Sequence, residues 1–264
     1  MENNEYIQAN RAAWNQAAPI HAEHNLEKLL HDFKTPGFTC LDDIEKGILD
    51  EIGLAGKDVA QLCCNNGREL LSLRNMGAGR CVGFDLADAF IEQGRSLASS
   101  AGIDCEFVCS SVNEIPRGYD GGFDLVYITV GALGWMPDLN DLFAVVKRLL
   151  RPGGWLLIYE MHPMLDMFDA EAEDSFPLRH SYFKSEPYAE EGGLDYYGNK
   201  EYHSLMSYWF HHKMSDIIQG CLNNRLQLVS FQEYDHDVSS VFKGMEKQAV
   251  RPPLSYTLVV RYLE

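Results

Sequence analysis

The stretch Asp58-Val-Ala-Gln-Leu-Cys-Cys-Asn-Asn-Gly67-Arg-Glu-Leu decides the fold. Its apolar run, Val59 to Cys63, reads as a buried strand, and a helical pattern starts at Arg68. Between them stand Asn65, Asn66 and Gly67, residues that tolerate left-handed backbone and let a strand turn tightly into a helix. Such a turn lets a ligand lie directly on the backbone, although an ordinary strand-to-helix turn with no ligand has the same pattern.

Working outward, short apolar runs recur at Arg80 to Phe84, Cys105 to Cys109, Phe123 to Thr129 and Trp155 to Glu160. Between them Arg68 to Asn75, Ala87 to Ala101 and Leu139 to Leu150 carry apolar residues at helical spacing. The last of these stops at Arg151-Pro152-Gly153-Gly154, a turn that feeds the next strand. Strands alternating with helices imply a parallel sheet with helices on both faces. Upstream, helices are expected around Tyr6 to Ala18 and Leu41 to Ile52, separated by a loop at Lys34 to Gly37. Residues 161–212 break the rhythm: Asp166 to Glu201 holds ten acids and three bases, and ten aromatics fall between Phe176 and Phe210. The pattern then resumes with a helix at Met214 to Leu222 and strands at Leu226 to Phe231 and Ser255 to Leu263. The expected organisation is an N-terminal helical cap (1–57), a core (58–160), an inserted aromatic-rich cap or substrate lobe (161–212) and a C-terminal part of the core sheet (213–264).

Composition narrows the partners. With 22 basic and 39 acidic residues the formal charge is −17, a field that repels phosphate backbones and acidic lipid surfaces, so neither nucleic acid nor membrane is an expected partner. Seven cysteines without a CxxC pair or zinc-like histidine spacing point to reduced thiols and no metal site. Residues 1–15 show no basic segment leading into an apolar run, and no stretch approaches a membrane-spanning length; a cytoplasmic protein is the expectation.

Asp85 follows the second strand, eighteen positions after Gly67. A carboxylate at that place can accept hydrogen bonds from both ribose hydroxyls of an adenosine-containing cofactor; otherwise it would cap the helix that follows. Here the chain resembles the class I, Rossmann-like S-adenosylmethionine-dependent methyltransferases of the small-molecule type. In that family the first strand ends in an acid followed by a Gly-x-Gly-x-Gly turn. Gln61 takes the acidic position, Cys63 and Asn65 take the first two glycines, and Gly67 keeps the family residue. Ser111 in Phe107-Val-Cys-Ser-Ser-Val-Asn-Glu stands where the family has an acid for the adenine amino group. The stretch Phe123-Asp-Leu-Val-Tyr-Ile-Thr-Val-Gly131 follows the family's fourth strand, and Arg151-Pro-Gly-Gly-Trp-Leu-Leu-Ile-Tyr-Glu160 its fifth. Asn10-Arg-Ala-Ala-Trp14-Asn is similar to a leading helix that closes over the cofactor.

The resemblance implies a seven-stranded, mostly parallel sheet with a reversed last strand, S-adenosylmethionine as cofactor, and methyl transfer to a small molecule. It implies cofactor contacts at Gln61, Cys63, Asn65, Asn66, Gly67, Asp85, Leu86, Ser111, Val112, Thr129, Val130 and Gly131. Methyl transfer needs positioning first and a proton acceptor second. His162 is the expected general base, ahead of Glu160, His21, His24, His211 and His212, because it closes the fifth strand and imidazole titrates near neutrality. Trp135 is expected to pack; Tyr182, Tyr196, Tyr197, Tyr208 and Trp209 are expected in the insertion's own small core, or as walls of an aromatic or cationic pocket. The altered residues Gln61, Cys63, Asn65 and Ser111 also fit an inactive protein that binds the cofactor or regulates. An NAD-dependent oxidoreductase shares the strand, turn and acid, but not the Phe-Asp-Leu-Val and Arg-Pro-Gly-Gly order.

Overall fold

The apolar runs of four to six residues flanked by turn formers become strands because their two faces are both covered, and the amphipathic stretches between them become the covering helices. A computed structural model describes residues 1–169, 176–195 and 202–263. Helices α1 (Asn3–Asp32) and α2 (Asp43–Ile52) lead into β1 (Val59–Leu62), α3 (Arg68–Asn75), β2 (Cys81–Asp85), α4 (Asp88–Ala101) and β3 (Glu106–Cys109). There follow β4 (Phe123–Ile128), α5 (Leu139–Leu149) and β5 (Leu150–Met161), then a small hairpin pair, β6 (Tyr188–Glu190) and β7 (Ser207–Trp209). Helix α6 (Met214–Asn223), β8 (Leu226–Tyr234) and β9 (Ser255–Tyr262) complete the chain.

Seven strands form one sheet in the order β3-β2-β1-β4-β5-β9-β8. Strands β1 to β5 are parallel, and β9 runs antiparallel to both β5 and β8, which makes it the reversed strand. Alternation along β1 fixes the register. Ala60 and Leu62 face the layer of α5 and α6, packing with Phe143, Val146 and Ile217, whereas Val59 faces Leu49, Leu70 and Leu97 of α2, α3 and α4. Each of these side chains except Ala60 is worth roughly 1.5–3 kcal/mol when fully buried. At the amino edge of the sheet Arg151 bridges Asp58 (2.7 Å) and Asp124 (2.8 Å), so the acid at the head of β1 is held by the strand that closes the parallel run.

The leading helix is longer than the pattern suggests. It continues through Pro19 to Asp32, because both halves are tied down: Gln93 donates to the Ala18 carbonyl (2.8 Å) and the His21 ring bonds the Leu194 carbonyl (2.6 Å). Strand assignment in β5 likewise starts at Leu150, with a register shift against β4 where Pro152-Gly153-Gly154 turns. No helix among the described residues is long and apolar enough to cross a membrane.

The insertion's aromatics pack mostly away from one another. Tyr208 and Phe210 meet Tyr6 of α1 edge-on at 4.8 and 5.2 Å, and Trp209 meets Trp135 at 5.1 Å. Tyr182 stays within the insertion, against Phe183 and His211. Tyr196 and Tyr197 lie outside the described residues. The roof of the molecule is therefore α1 joined to 202–212, and it covers the carboxyl edge of the sheet.

Candidate cofactor and acceptor site

The turn after β1 keeps a glycine-like backbone in the absence of two of the glycines. Cys63 and Asn65 have φ of 53° and 51°, and Gly67 has φ of 71°. Left-handed backbone costs a non-glycine residue roughly 1–2 kcal/mol, least for Asn. Gly67 is required twice over, because a Cβ there would also lie 2.3 Å from the Phe107 ring. The strain is held by neighbours: Cys64 N donates to the Phe84 carbonyl (3.1 Å), Asn65 N to Asp85 Oδ2 (2.8 Å) and Asn66 N to Asn65 Oδ1 (2.8 Å).

Asp85 couples this turn to the next. Its Oδ1 accepts from Ala87 N (2.9 Å) while Oδ2 accepts from Asn65 N, and Ala87, not Asp85, occupies the N-cap position of α4. Burial pushes the Asp85 pKa upward, against the pull of the backbone amides. A carboxylate offers about four lone-pair sites, so Asp85 keeps acceptor capacity for a ligand.

Two cavities meet at this residue. A narrow slot of about 30 Å³ runs past Phe84, Leu86, Ser111, Val112 and Asn113 to Trp135, and a chamber of about 320 Å³ is walled by Asn65, Asn66, Thr129, Val130 and Gly131. Cys63, Asp85, Leu86 and Trp135 line both. Of the twelve expected cofactor contacts, Cys63, Asn65, Asn66, Asp85, Leu86, Ser111, Val112, Thr129, Val130 and Gly131 are thus brought to one continuous surface. Gly67 and Gln61 are not on it. Gln61 is fully buried beneath the turn, and neither end of its amide has a hydrogen-bond partner among the described residues. The Ser111 hydroxyl donates to Glu114 (2.8 Å), which leaves its oxygen able to accept.

The loop after β4 is positioned by an acid on β5. Glu160, 3% exposed, accepts from the amides of Gly131 (2.6 Å), Ala132 (2.9 Å), Leu133 (3.3 Å) and its neighbour Met161 (2.8 Å). Burial raises its pKa to about 7 even though all four amides favour the anion. With both oxygens engaged, Glu160 is a loop-positioning residue, not a free base.

The histidines are similarly committed. His162 Nδ1 accepts from Met164 N (3.2 Å), its Nε2 lies 3.1 Å from Glu233, and burial lowers its pKa; it lines neither cavity. The expectation of a base at this position is not met in the geometry, because the ring is turned toward β8 and the turn at Pro163–Met167. His21 bonds the Leu194 carbonyl, His24 lies 3.3 Å from Asp195, His211 sits between Asp166 (2.9 Å) and the Tyr182 carbonyl (2.8 Å), and His212 bonds the Met136 carbonyl (2.7 Å). The described lining of the larger chamber contains no histidine. Of the outer wall, the sequence offered Trp209 as a pocket wall and the Trp14 helix as a cover and expected Trp135 to pack, but it gave no sign of Met161 or Val238–Val241. Trp14, Trp135, Trp209, Met161 and the segment Val238–Val241 all line the chamber. Residues 238–241 belong to a loop with no periodic signature, held by Asp237, whose carboxylate accepts from Ser239 N (2.9 Å) and Phe242 N (3.0 Å).

Comparisons with known proteins agree with this geometry. Residues 59–154 match the model of a family described as a methyltransferase domain. Over 111 residues the chain is 31% identical to a tRNA U34 carboxymethyltransferase of Nautilia profundicola, covering 42% of this chain and 36% of that one. Over 130 residues it is 32% identical to a phthiotriol/phenolphthiotriol dimycocerosates methyltransferase of Mycobacterium ulcerans, covering 48% and 46%. The matched region thus spans less than half the length of these curated relatives. Among solved structures, an S-adenosylmethionine-dependent methyltransferase from Mesorhizobium loti superposes with a TM-score of 0.61 at 18% identity, covering 82% of this chain and 97% of that one. A geranyl diphosphate C-methyltransferase from Streptomyces coelicolor A3(2) does so with 0.58 at 13% identity, covering 83% and 78%. Residues 59–154 thus match a methyltransferase domain, and the sheet order and the solved structures show the Rossmann-like fold of S-adenosylmethionine-dependent methyltransferases.

Proposed function

We propose that this protein transfers a methyl group from S-adenosylmethionine to a small molecule held under the α1 and 202–212 roof. The observation that carries the reading is the slot and chamber meeting at Asp85 on the carboxyl edge of the sheet, where open α/β sheets bind ligands. The residues fit the cofactor. The slot is shaped by apolar side chains and the Ser111 oxygen, as an adenine requires; Asp85 has lone pairs for a ribose; and Asn65 and Asn66 present polar groups to the chamber beside it.

When bound, the cofactor supplies an electrophilic methyl group on a sulfonium. The protein's part is placement and exclusion of water. Glu160 fixes Gly131 to Leu133, that loop carries Trp135, and the roof tryptophans close the chamber from above. The −17 charge disfavours nucleic-acid acceptors, and seven unbonded cysteines accord with a cytoplasmic location, which we propose as well.

The test is isothermal titration with S-adenosylmethionine and S-adenosylhomocysteine on wild type, Asp85→Asn and Asp85→Ala, each first checked for folding by thermal melting. Loss of a charged hydrogen-bonding group is worth about 1.5–3 kcal/mol, so affinity falls roughly 10- to 100-fold in the alanine variant and less in the asparagine variant. Folded wild type that binds neither nucleotide would overturn the assignment.

A further inference from the structure

We infer that the methyl acceptor is an amine, and that Trp14, Trp135 and Trp209 form a cage for the positive charge its nitrogen acquires. This deepens the methyltransferase reading and rests on it.

The three tryptophans come from α1, the loop after β4 and β7, and all line the larger chamber. Trp14 and Trp135 meet at 5.2 Å with their planes at 79°, and Trp135 and Trp209 at 5.1 Å and 87°. Walls set near right angles present π systems to a compact guest from several directions, unlike a flat stack. The rings are also fixed in place. Trp209 Nε1 donates to Asp166 (3.2 Å), and its ring lies so close over Gly134 that a Cβ there would come within 2.2 Å. Trp135 belongs to the turn held by Glu160.

The charges around the chamber point the same way. Its one described cationic side chain, Arg68, is paired with Glu69 at 2.6 Å, and Asp85 adds a further acid. No described histidine lines the chamber; of the acids, Glu69 is paired with Arg68, Asp85 is held by the amides of Asn65 and Ala87 at the mouth of the adenine slot, and both oxygens of Glu160 are occupied by amides. An alcohol or phenol acceptor needs a base before or during attack. A neutral amine does not: its lone pair forms the new N–C bond while the bond from the methyl carbon to the sulfonium sulfur breaks, that electron pair staying on sulfur. The positive charge passes from sulfur to nitrogen. A primary or secondary amine then releases a proton to water, and a tertiary amine remains a quaternary ammonium. An electron-rich wall stabilises the nitrogen as its charge develops, which is where catalysis by binding operates.

The experiment uses the full chain saturated with S-adenosylhomocysteine and titrated with choline or its neutral isostere 3,3-dimethylbutan-1-ol. A desolvated cation–π contribution of about 2 kcal/mol predicts choline binding roughly 30-fold tighter than the isostere. The preference should persist in about 1 M sodium chloride, where surface fields are screened within ~3 Å. Trp209→Leu should reduce the preference at least about tenfold, and Trp209→Phe should restore most of it, each measured on protein shown to be saturated with S-adenosylhomocysteine; Trp14→Leu serves if the Trp209 variant fails to fold. Equal binding of the isostere, no choline binding, or a preference that disappears in high salt overturns the amine assignment alone. Failure to bind S-adenosylhomocysteine overturns the methyltransferase reading and the amine with it.

Discussion

The floor and the roof of the larger chamber are built by different physics. The floor is the edge of a parallel sheet whose strands are buried on both faces, with Leu62, Val126, Ile128 and Leu157 inaccessible to water. In the roof, the 202–212 segment is tied to α1 by polar side chains acting as surrogate strand edges, beside the Tyr6 contacts with Tyr208 and Phe210. Asn10 donates to the Tyr208 carbonyl (2.9 Å) and accepts from Tyr208 N (2.7 Å). Gln16 does the same with the His203 carbonyl (2.9 Å) and Leu205 N (2.7 Å). Burial is non-directional and spread over many residues, whereas each of these bonds nets about 0.5–1.5 kcal/mol and depends on one side chain. The difference teaches that the roof can be loosened residue by residue while the floor stays whole, which is what an acceptor site under a cover requires.

The largest effect should come from the one floor residue that also shapes the chamber wall. Glu160→Gln places an NH₂ group against backbone N–H donors and leaves at least one buried amide unpaired, at a cost on the order of 3 kcal/mol. Thermal and denaturant melts would measure it. The same residue gives a pH signature. Its pKa is about 7 in the folded protein against 4.5 ordinarily, so between those values the folded state holds a proton that the unfolded chain has released. This group's contribution to stability therefore falls as pH rises from about 4.5 to about 7 and is level above that. Glu45, also raised to about 7 by burial, acts in the same direction. Stability of the wild type should decline more steeply than that of Glu160→Gln across this window; parallel curves would show that Glu160 is ionised throughout.

A smaller effect should separate roof from floor directly. Asn10→Ala and Gln16→Ala each remove two side-chain to backbone bonds, worth about 1–2 kcal/mol of local closure per variant. Hydrogen exchange at 202–209 should quicken roughly tenfold, while amides of β4 and β5 keep their protection. If β4 and β5 quicken equally, roof and floor unfold as one unit and the comparison fails.

What could be seen in the sequence follows the same division. The sheet was legible because short continuous apolar runs and turn formers such as Asn65, Gly67 and Gly153 are local signals. Asp85 was legible from its spacing after the turn, and its binding to Asn65 N adds that it also joins two loops. The wall was legible only in part: Trp209 and the Trp14 helix were open as wall and cover, but their meeting with Trp135 and with Val238–Val241, far apart in sequence, comes only through tertiary contacts. Likewise nothing local distinguishes His162, committed to Glu233 and Met164, from a free base, and nothing local says that Glu160 spends both oxygens on a distant loop. The leading helix, expected to Ala18, continues through Pro19 because distant bonds at Ala18 and His21 hold it.

The smallest expected effect sharpens the floor itself. Cys63 carries a side chain where the family has glycine, yet keeps the left-handed φ of 53°. Cys63→Gly removes roughly 1–2 kcal/mol of backbone strain. Against this, glycine loses about 0.5–1 kcal/mol more conformational entropy on folding, and the thiol's partly buried contact with the core is given up. These contributions nearly cancel, so the stability change should lie within about 1 kcal/mol by denaturant titration. Cys63→Val, β-branched at the same φ, retains the strain and adds to it, and should be clearly less stable than either. A glycine variant that loses more than about 2 kcal/mol would mean that the thiol's packing, not backbone conformation, holds the turn. The floor would then depend on a single side chain, as the roof does at Asn10 and Gln16.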